Sequence, residues 1–235
     1  MEEQAYEHLK NGEWTEARRA FESELVVHPK NLEARYNLAL LLQQAGHTDQ
    51  ELKLYQKNME LGWHLPTVAN LSAVYVAQGK TTEARALLEK AVKRFRHEAT
   101  PRYLLAELDE NDGKIAQAKK WHEKALRADP LNGFAHIRYA RFLEQQGTLD
   151  LALKHALRAT RLQPTSAYCL TIRGNIQLRK KEYGDALESY QKSLAIHPNS
   201  ETRQKLIDVL HLQGQHERAD RMQKALNAWL KHQSS

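Results

Sequence analysis

The 235-residue sequence predicts an all-α protein built from repeated pairs of helices. Three observations carry this prediction: a composition that favours helices, a glycine that recurs about every 33 to 34 residues, and apolar residues that recur at the period of a helix. Ten Gly and six Pro are few for this length, and Ala, Leu, Glu and Lys abound. No apolar run approaches the roughly 20 residues needed to cross a bilayer, so no membrane span is predicted.

The recurring glycine marks the turn within each helix pair. It occurs at Gly12, Gly46, Gly79, Gly113, Gly147 and Gly214. One interval is doubled, and Lys181 lies where a seventh glycine is expected. A residue just past a helix end often needs a left-handed backbone, which only Gly enters without cost. We therefore expect seven units, with approximate boundaries at 1–31, 32–64, 65–98, 99–132, 133–166, 167–199 and 200–235.

Other positions recur in register with this turn. Five residues after it lies a small residue that lets the paired helices approach closely, at Ala17, Ala84, Ala118, Ala152, Ala186 and Ala219. Glu51 breaks this pattern in the second unit. Bulky residues follow at helical spacing, as at Phe21, Tyr55, Leu88 and Tyr190. Several units close with a proline, at Pro29, Pro130, Pro164 and Pro198.

This pattern resembles the tetratricopeptide-repeat family, whose 34-residue unit has small and aromatic residues at these offsets. The resemblance covers nearly the whole chain and implies one right-handed superhelical solenoid of about seven helix-turn-helix units over 1–235, without separate domains. It also implies that the first helix of each unit lines a concave groove and the second helix lies on the convex side. The last helix, from about Glu217 to His232, is expected to cap the apolar end of the solenoid.

In this family the groove-facing residues occupy defined positions of each first helix. The resemblance places there Tyr36, Asn37, Leu40, Asn70, Ala73, Val76, Tyr103, Phe134, Arg138, Arg141, Tyr168, Asn175 and Arg179. Asn37 and Asn70 share one repeat position and resemble asparagines that hold the backbone of an extended peptide, because an amide both donates and accepts. The alternative is that neighbouring helices satisfy both amides. Arg138, Arg141 and Arg179 can together grip acidic side chains or a C-terminal carboxylate.

No motif of catalysis or metal binding is present in the sequence. There is no Gly-rich phosphate loop and no Gly-x-Ser-x-Gly elbow, and none of the 12 His forms an HxxxH pair. The carboxylates of Glu107, Asp109, Glu110 and Asp112 crowd one predicted helix and are expected to be solvated. Cys169, the single cysteine, is expected to be a small buried core residue. We predict a protein that is not an enzyme and uses no cofactor or metal.

Charge is distributed unevenly along the chain. Residues 1–113 carry 14 Lys and Arg against 18 Asp and Glu, whereas residues 114–235 carry 21 against 11. A gradient of this size can steer a charged partner. Together with the sequence pI of about 9.3, the basic half raises nucleic-acid binding as an alternative function. Nucleic acid is not the expected partner, because the aromatic residues are not organised with the basic ones as a base-stacking platform.

The leading functional hypothesis is an adaptor or scaffold that holds an extended or helical segment of a partner protein, including an acidic one, in the groove. Bacterial pilus-assembly and other envelope-assembly proteins of the family look similar in size and repeat number. A self-assembling scaffold that forms homo-oligomers is the first alternative. The chain as written predicts a cytoplasmic location, and a periplasmic or membrane-anchored one if a leader preceding Met1 has been removed.

Overall fold

The computed structural model describes residues 2–233, and these residues form fourteen α-helices and no strand. The all-α fold predicted from the sequence is therefore confirmed. In chain order the helices are α1 (Glu2–Asn11), α2 (Trp14–Val27), α3 (Leu32–Gln44), α4 (Thr48–Leu61), α5 (Leu65–Ala77), α6 (Thr81–Arg94), α7 (Thr100–Asn111), α8 (Ile115–Ala128), α9 (Gly133–Gln145), α10 (Leu149–Leu162), α11 (Ala167–Arg179), α12 (Tyr183–Ile196), α13 (Ser200–Leu212) and α14 (His216–Gln233).

The described residues divide into two compact units, one ending at Ala118 and the other beginning at Lys119. Odd-numbered helices are the first helices of the pairs and even-numbered helices are the second helices. In the first unit the first helices α5 and α7 contact each other, and in the second unit α9 and α11 do so. The prediction of a single domain over 1–235 stays a prediction, and Met1 lies outside the described residues.

A left-handed residue ends the first helix of each pair, as the repeat pattern predicts. The six recurring glycines have φ between 72° and 78°. Lys181 has φ of 63° and is the single non-glycine residue with positive φ in the described chain. Its N–H donates to the Leu178 carbonyl and the N–H of Glu182 to the Gln177 carbonyl, both at 2.9 Å. This pair of bonds satisfies the last carbonyls of α11 as it does where glycine occupies the turn.

The predicted small residues lie where the helices of a pair meet. All six recurring alanines are fully buried, and the side chain of Glu51, at the same repeat position, is only 1% exposed. Several first helices begin with a polar side chain that accepts a hydrogen bond from the N–H three residues later, as Asn31 does from Ala34 at 3.0 Å. In α14, Leu226 is buried in the core of the second unit and Trp229 packs against it, as expected of a cap.

Two expectations about individual side chains have opposite outcomes. Cys169 is fully buried, as predicted, and burial raises the pKa of its thiol. The expectation that Asp109 is solvated is wrong. Its side chain is buried, and its carboxylate accepts a hydrogen bond from Arg85 Nη2 at 2.7 Å. A partner on the neighbouring helix α6 explains this burial, and spacing within one helix does not reveal such a partner.

Candidate protein-binding surfaces

The first-helix surface of the first unit contains an open cavity between α5 and α7. Two of the predicted groove residues, Ala73 and Val76, line it together with Leu104 and Glu107, and its volume is about 270 Å³. This volume is slightly below the range of pockets that enclose drug-sized ligands, about 300 to 1,000 Å³. Its walls are mostly apolar. The cavity is therefore suited to one or two side chains of a polypeptide.

The two predicted asparagines are already engaged by tyrosines within the first unit. Asn37 Nδ2 donates to Tyr6 Oη at 2.8 Å and lies 3.5 Å from Glu33 Oε1. Asn70 Nδ2 donates to Tyr55 Oη at 3.1 Å. Neither side-chain carbonyl accepts a hydrogen bond from a described residue. Asn37 is buried, whereas Asn70 is only partly buried, so Asn70 is the one of the two whose carbonyl oxygen can accept a hydrogen bond from a partner. Both asparagines have their donor group occupied.

The other predicted residues of the first unit are more enclosed. Tyr36 is partly buried, its ring centroid lies 5.2 Å from that of His64, and burial raises the pKa of its hydroxyl. Leu40 is partly exposed, whereas Tyr103 is buried and interacts with other residues of the chain. These three side chains therefore offer little free surface compared with Ala73.

In the second unit, two aromatic side chains lie open on the first-helix surface. Phe134 of α9 and Tyr168 of α11 occupy the same repeat position and are 47% and 41% exposed. Farther along α11, Arg179 donates to the Glu144 carbonyl oxygen, and its Nη1 lies 3.7 Å from Glu144 Oε1. This surface thus has two exposed aromatic rings, and the nearby Arg179 is already paired with Glu144.

The three predicted arginines do not form a free clamp for a carboxylate. Arg179 is paired with Glu144, and Arg138 and Arg141 are partly buried and interact with other residues of the chain. An acidic partner would have to compete with these contacts. Asn175 is likewise engaged, because its side-chain oxygen accepts a hydrogen bond from the Tyr190 hydroxyl at 2.9 Å.

Sequence reasoning missed a basic surface on the second helix α10. A cavity of about 540 Å³ is lined there by Lys154, Arg158 and Arg161, together with His136 and His155. The three cations follow the i, i+4, i+7 spacing that places residues on one helical face. That spacing is visible in the sequence, but it does not indicate a binding surface until the cavity beside it is known.

Two further properties bear on function. Within residues 2–233, no three His, Cys, Asp or Glu side chains are grouped so that they could hold a metal ion. No helix in this part of the chain is both long enough and apolar enough to span a bilayer.

The chain is a helical-repeat protein, because its helix pairs turn at a left-handed residue that recurs along the chain, and open cavities lie beside its helices. Family models described as tetratricopeptide repeat match residues 2–57 and 103–167, and a second such model matches residues 75–122. The first model alone covers more than half of the chain. The chain therefore belongs to the tetratricopeptide-repeat family, as predicted. Proteins of this family mediate protein–protein interactions and are typically scaffolds without enzymatic activity.

Individual relatives and solved structures match parts of the chain. The chain is 31% identical over 125 residues to cleavage stimulation factor subunit 77 of Arabidopsis thaliana, which is 53% of this chain and 17% of that protein. It is 32% identical over 95 residues to the Hsp70-Hsp90 organizing protein of Triticum aestivum, which is 40% of this chain and 16% of that protein. The chain thus spans less than a fifth of the length of these relatives. The pilF structure of Pseudomonas aeruginosa has 22% identity and a TM-score of 0.63, covering 70% of this chain and 75% of that one. This likeness shows the fold alone.

Proposed function

We propose that this protein is a non-enzymatic adaptor that binds an extended or helical segment of a partner protein on the first-helix surface of its first unit. The observation that carries the proposal is the 270 Å³ cavity between α5 and α7, because two groove residues implied by the family resemblance line it. Its apolar walls favour an apolar side chain of the partner.

The neighbouring asparagine supports a polypeptide as the ligand. Asn70 lies three residues before Ala73 on α5, so the two share one face of the helix. With its amide donor held by Tyr55, Asn70 offers its carbonyl oxygen to a main-chain N–H of the partner. A peptide that places one side chain in the cavity and one N–H on Asn70 uses both features at once.

Site-specific crosslinking tests the location of this surface. A photoreactive benzoyl-phenylalanine replaces Ala73 in one preparation and Ala86 in another, since both alanines are exposed and lie in the first unit. Crosslinks to a partner from the native host are expected at position 73 and not at position 86. Equal crosslinking from both positions, or from position 86 alone, would contradict the proposal.

Calorimetry with the crosslinked partner segment then measures the contribution of the cavity. Ala73→Arg should weaken binding by about tenfold or more, because it places a charge in an apolar cavity. The matched variant Ala86→Arg should bind like the parent. Both variants are expected to melt at nearly the same temperature, because both alanines are exposed.

The narrower hypotheses stay predictions. These are a role in assembling a bacterial envelope or pilus complex and a cytoplasmic location. Self-assembly into homo-oligomers and nucleic-acid binding are the two alternatives to the adaptor. Light scattering of the purified protein tests self-assembly, and a gel shift with oligonucleotides tests nucleic-acid binding. A protein that gives no shift and crosslinks to a partner at position 73 is the combination that the proposed function requires.

A further inference from the structure

We infer that the second unit carries a separate binding surface, on helix α10, for an acidic segment of a partner protein. The α10 surface is defined here as Lys154, His155, Arg158 and Arg161 with His136 of α9, which line the 540 Å³ cavity. It lies on a second helix and shares no residue with the surface proposed above. Its existence does not depend on that proposal.

The cations of the α10 surface are available to a partner. Lys154, Arg158 and Arg161 are exposed and form no ion pair with any residue that the structure describes. One carboxylate, that of Asp150, also lines the cavity, but it is paired with Lys180 Nζ at 2.7 Å. Along the helix axis the cations are separated by about 6 Å and then about 4.5 Å. Carboxylates of a single peptide segment can meet two or three of them together.

The floor of the cavity favours a polypeptide over other anions. Pro130, Leu153 and Leu157 line the same cavity as the cations, so apolar side chains of a ligand can be buried there. No Phe, Tyr or Trp lines it, which removes the stacking platform that single-stranded nucleic acids use. A divalent cation fits poorly, because three positive side chains surround the two imidazoles and no third ligand is grouped with them in the described chain.

Two histidines that line the cavity form a hydrogen-bonded pair. His136 Nδ1 and His155 Nδ1 are 2.9 Å apart, and their rings stack with centroids 5.2 Å apart. His136 Nε2 lies 3.1 Å from the Pro130 carbonyl oxygen, which can only accept, so this nitrogen carries the proton. His136 Nδ1 then holds a lone pair, and His155 Nδ1 donates its N–H to it. Protonation of His136 at Nδ1 would turn this nitrogen into a donor, and the bond would then require the other tautomer of His155, with its proton on Nε2.

The surroundings of the pair hold it neutral in the free protein. Burial, then His136, Lys154 and His122, lower the pKa of His155 to about 4. Burial and Arg158 lower the pKa of His136, against the Pro130 carbonyl and Asp129, which raise it.

Tyr139 of α9 also contacts the His155 ring, with centroids 4.9 Å apart.

A bound carboxylate opposes the repulsion from Lys154 and Arg158 and therefore raises the pKa values of both imidazoles. Binding an acidic segment should consequently take up protons, so affinity should increase as pH falls from about 7.5 to about 5.5, where model carboxylates remain ionised.

A binding titration with variants tests the surface. The probe is a fluorescein-labelled synthetic peptide of alternating Glu and Leu, and its binding to the full chain is followed by fluorescence anisotropy. Arg158→Ala and Arg161→Ala should each weaken binding by about twofold to fivefold, which corresponds to an exposed ion pair. The matched control is Arg218→Ala, which removes an exposed arginine of α14 that has no ion pair with a described acidic residue. It should bind like the parent.

The pH dependence and the choice of anion complete the test. The parent and Arg218→Ala should bind the peptide more tightly at about pH 5.5 than at about pH 7.5, and the double variant His136→Gln, His155→Gln should lose this difference. A matched peptide with Gln in place of Glu should not bind. Equal loss of affinity in Arg218→Ala, or equally tight binding of an oligonucleotide or inorganic triphosphate, would overturn the inference.

Discussion

The helix pairs α3–α4 and α11–α12 occupy equivalent positions in two repeats, yet they meet the same packing requirement with different residues. Each pair buries a tyrosine completely, Tyr55 in α4 and Tyr190 in α12. Ala39 lies against Tyr55, and Gly174, at the same repeat position, lies against Tyr190. A Cβ added to Gly174 would lie 2.6 Å from Tyr190 Cε1. The tyrosine of the second pair therefore lies in space that Ala39 fills in the first.

Each of the two pairs also departs from the repeat pattern at one position, and the two positions differ. At the turn, α3–α4 has Gly46 with φ of 78°, whereas α11–α12 has Lys181 with φ of 63°. Five residues later, α3–α4 buries Glu51, whereas α11–α12 buries Ala186. Each pair thus has one residue that costs free energy where the other has the favourable one.

The repeat is thus a set of separate local requirements, each worth on the order of 1 kcal/mol. Because neighbouring helices stabilise each pair, one requirement can be broken without loss of the fold. The buried tyrosines show how such a change is accommodated, since the ring takes the volume that a missing methyl group leaves free. Exchanging the residues between the pairs at the turn, and at the position five residues later, should therefore give effects of opposite sign. At the position of Ala39 and Gly174, each residue suits its own tyrosine, so both exchanges should destabilise the protein.

The largest effect is expected at the close contact in α11. Gly174→Ala should lower the free energy of unfolding by about 1 to 3 kcal/mol, because the new methyl group meets the fully buried ring of Tyr190. The reciprocal variant Ala39→Gly should cost only about 0.5 to 1 kcal/mol, through helix propensity and lost contact. Urea denaturation measures both. If Gly174→Ala and the parent have the same midpoint of urea unfolding, the result would contradict the close packing of Gly174 against Tyr190.

The next effect is expected at the buried carboxyl group of α4. Glu51→Ala should raise the free energy of unfolding by about 1 kcal/mol at neutral pH, because Oε1 of Glu51 is buried without a hydrogen-bond partner. Ala186, at the same repeat position, shows that alanine fits there. The opposite exchange, Ala186→Glu, should destabilise the protein by more than Glu51→Ala stabilises it. A loss of stability in Glu51→Ala would show that this carboxyl group has a favourable partner.

The pH dependence of stability provides an independent check on Glu51. Burial raises the pKa of its carboxyl group above the ordinary value of about 4.3. The unfolded chain then releases this proton at lower pH than the folded chain, so the contribution of Glu51 to stability falls as pH rises above about 4.3. Glu51→Gln has nearly the same size and does not titrate. The difference in unfolding free energy between parent and variant should therefore shrink as pH is lowered toward 4.

A smaller difference is expected between the two tyrosine hydroxyls. Tyr190 Oη donates to Asn175 Oδ1 at 2.9 Å, and Tyr190→Phe should cost about 1 kcal/mol. Tyr55 Oη accepts from Asn70 Nδ2, which also reaches Tyr36 Oη at 3.4 Å. Tyr55→Phe should cost about 0.5 kcal/mol, since the amide keeps a second acceptor. Thermal unfolding of the two variants under the same conditions compares them, and a larger cost for Tyr55→Phe would contradict this assignment.

Much of this fold could be predicted because the repeat makes each position visible several times. Lys181 is an example, since a lysine alone gives no sign of a left-handed turn. Its place in the glycine series predicted the conformation that the structure shows. The repeat likewise indicates that Glu51 is buried, because all six other units have a buried alanine at its position.

The binding surfaces were less predictable, because side-chain partners come from other helices. The repeat places Asn37 on a first helix, but its hydrogen bond to Tyr6 depends on a contact 31 residues away. The pairing of Arg179 with Glu144 is similarly remote in sequence. The α10 surface depends on His136 and His155 meeting across two helices. Periodicity identifies the face on which a residue lies but not the partner that it meets there.

The smallest effect is expected at the turn of α11–α12, where Lys181→Gly should stabilise the protein. A non-glycine residue in the left-handed region costs about 1 kcal/mol, and part of the gain is lost because glycine adds freedom to the unfolded chain. The net gain should be about 0.5 kcal/mol in the free energy of unfolding. Lys181→Ala removes the same charge but keeps the strained backbone, so it should give no gain. Gly46→Ala should destabilise α3–α4 by about 1 kcal/mol, since it introduces the strain that Lys181 already has. If Lys181→Ala stabilises the protein as much as Lys181→Gly, then side-chain charge rather than backbone conformation accounts for the difference between the two turns.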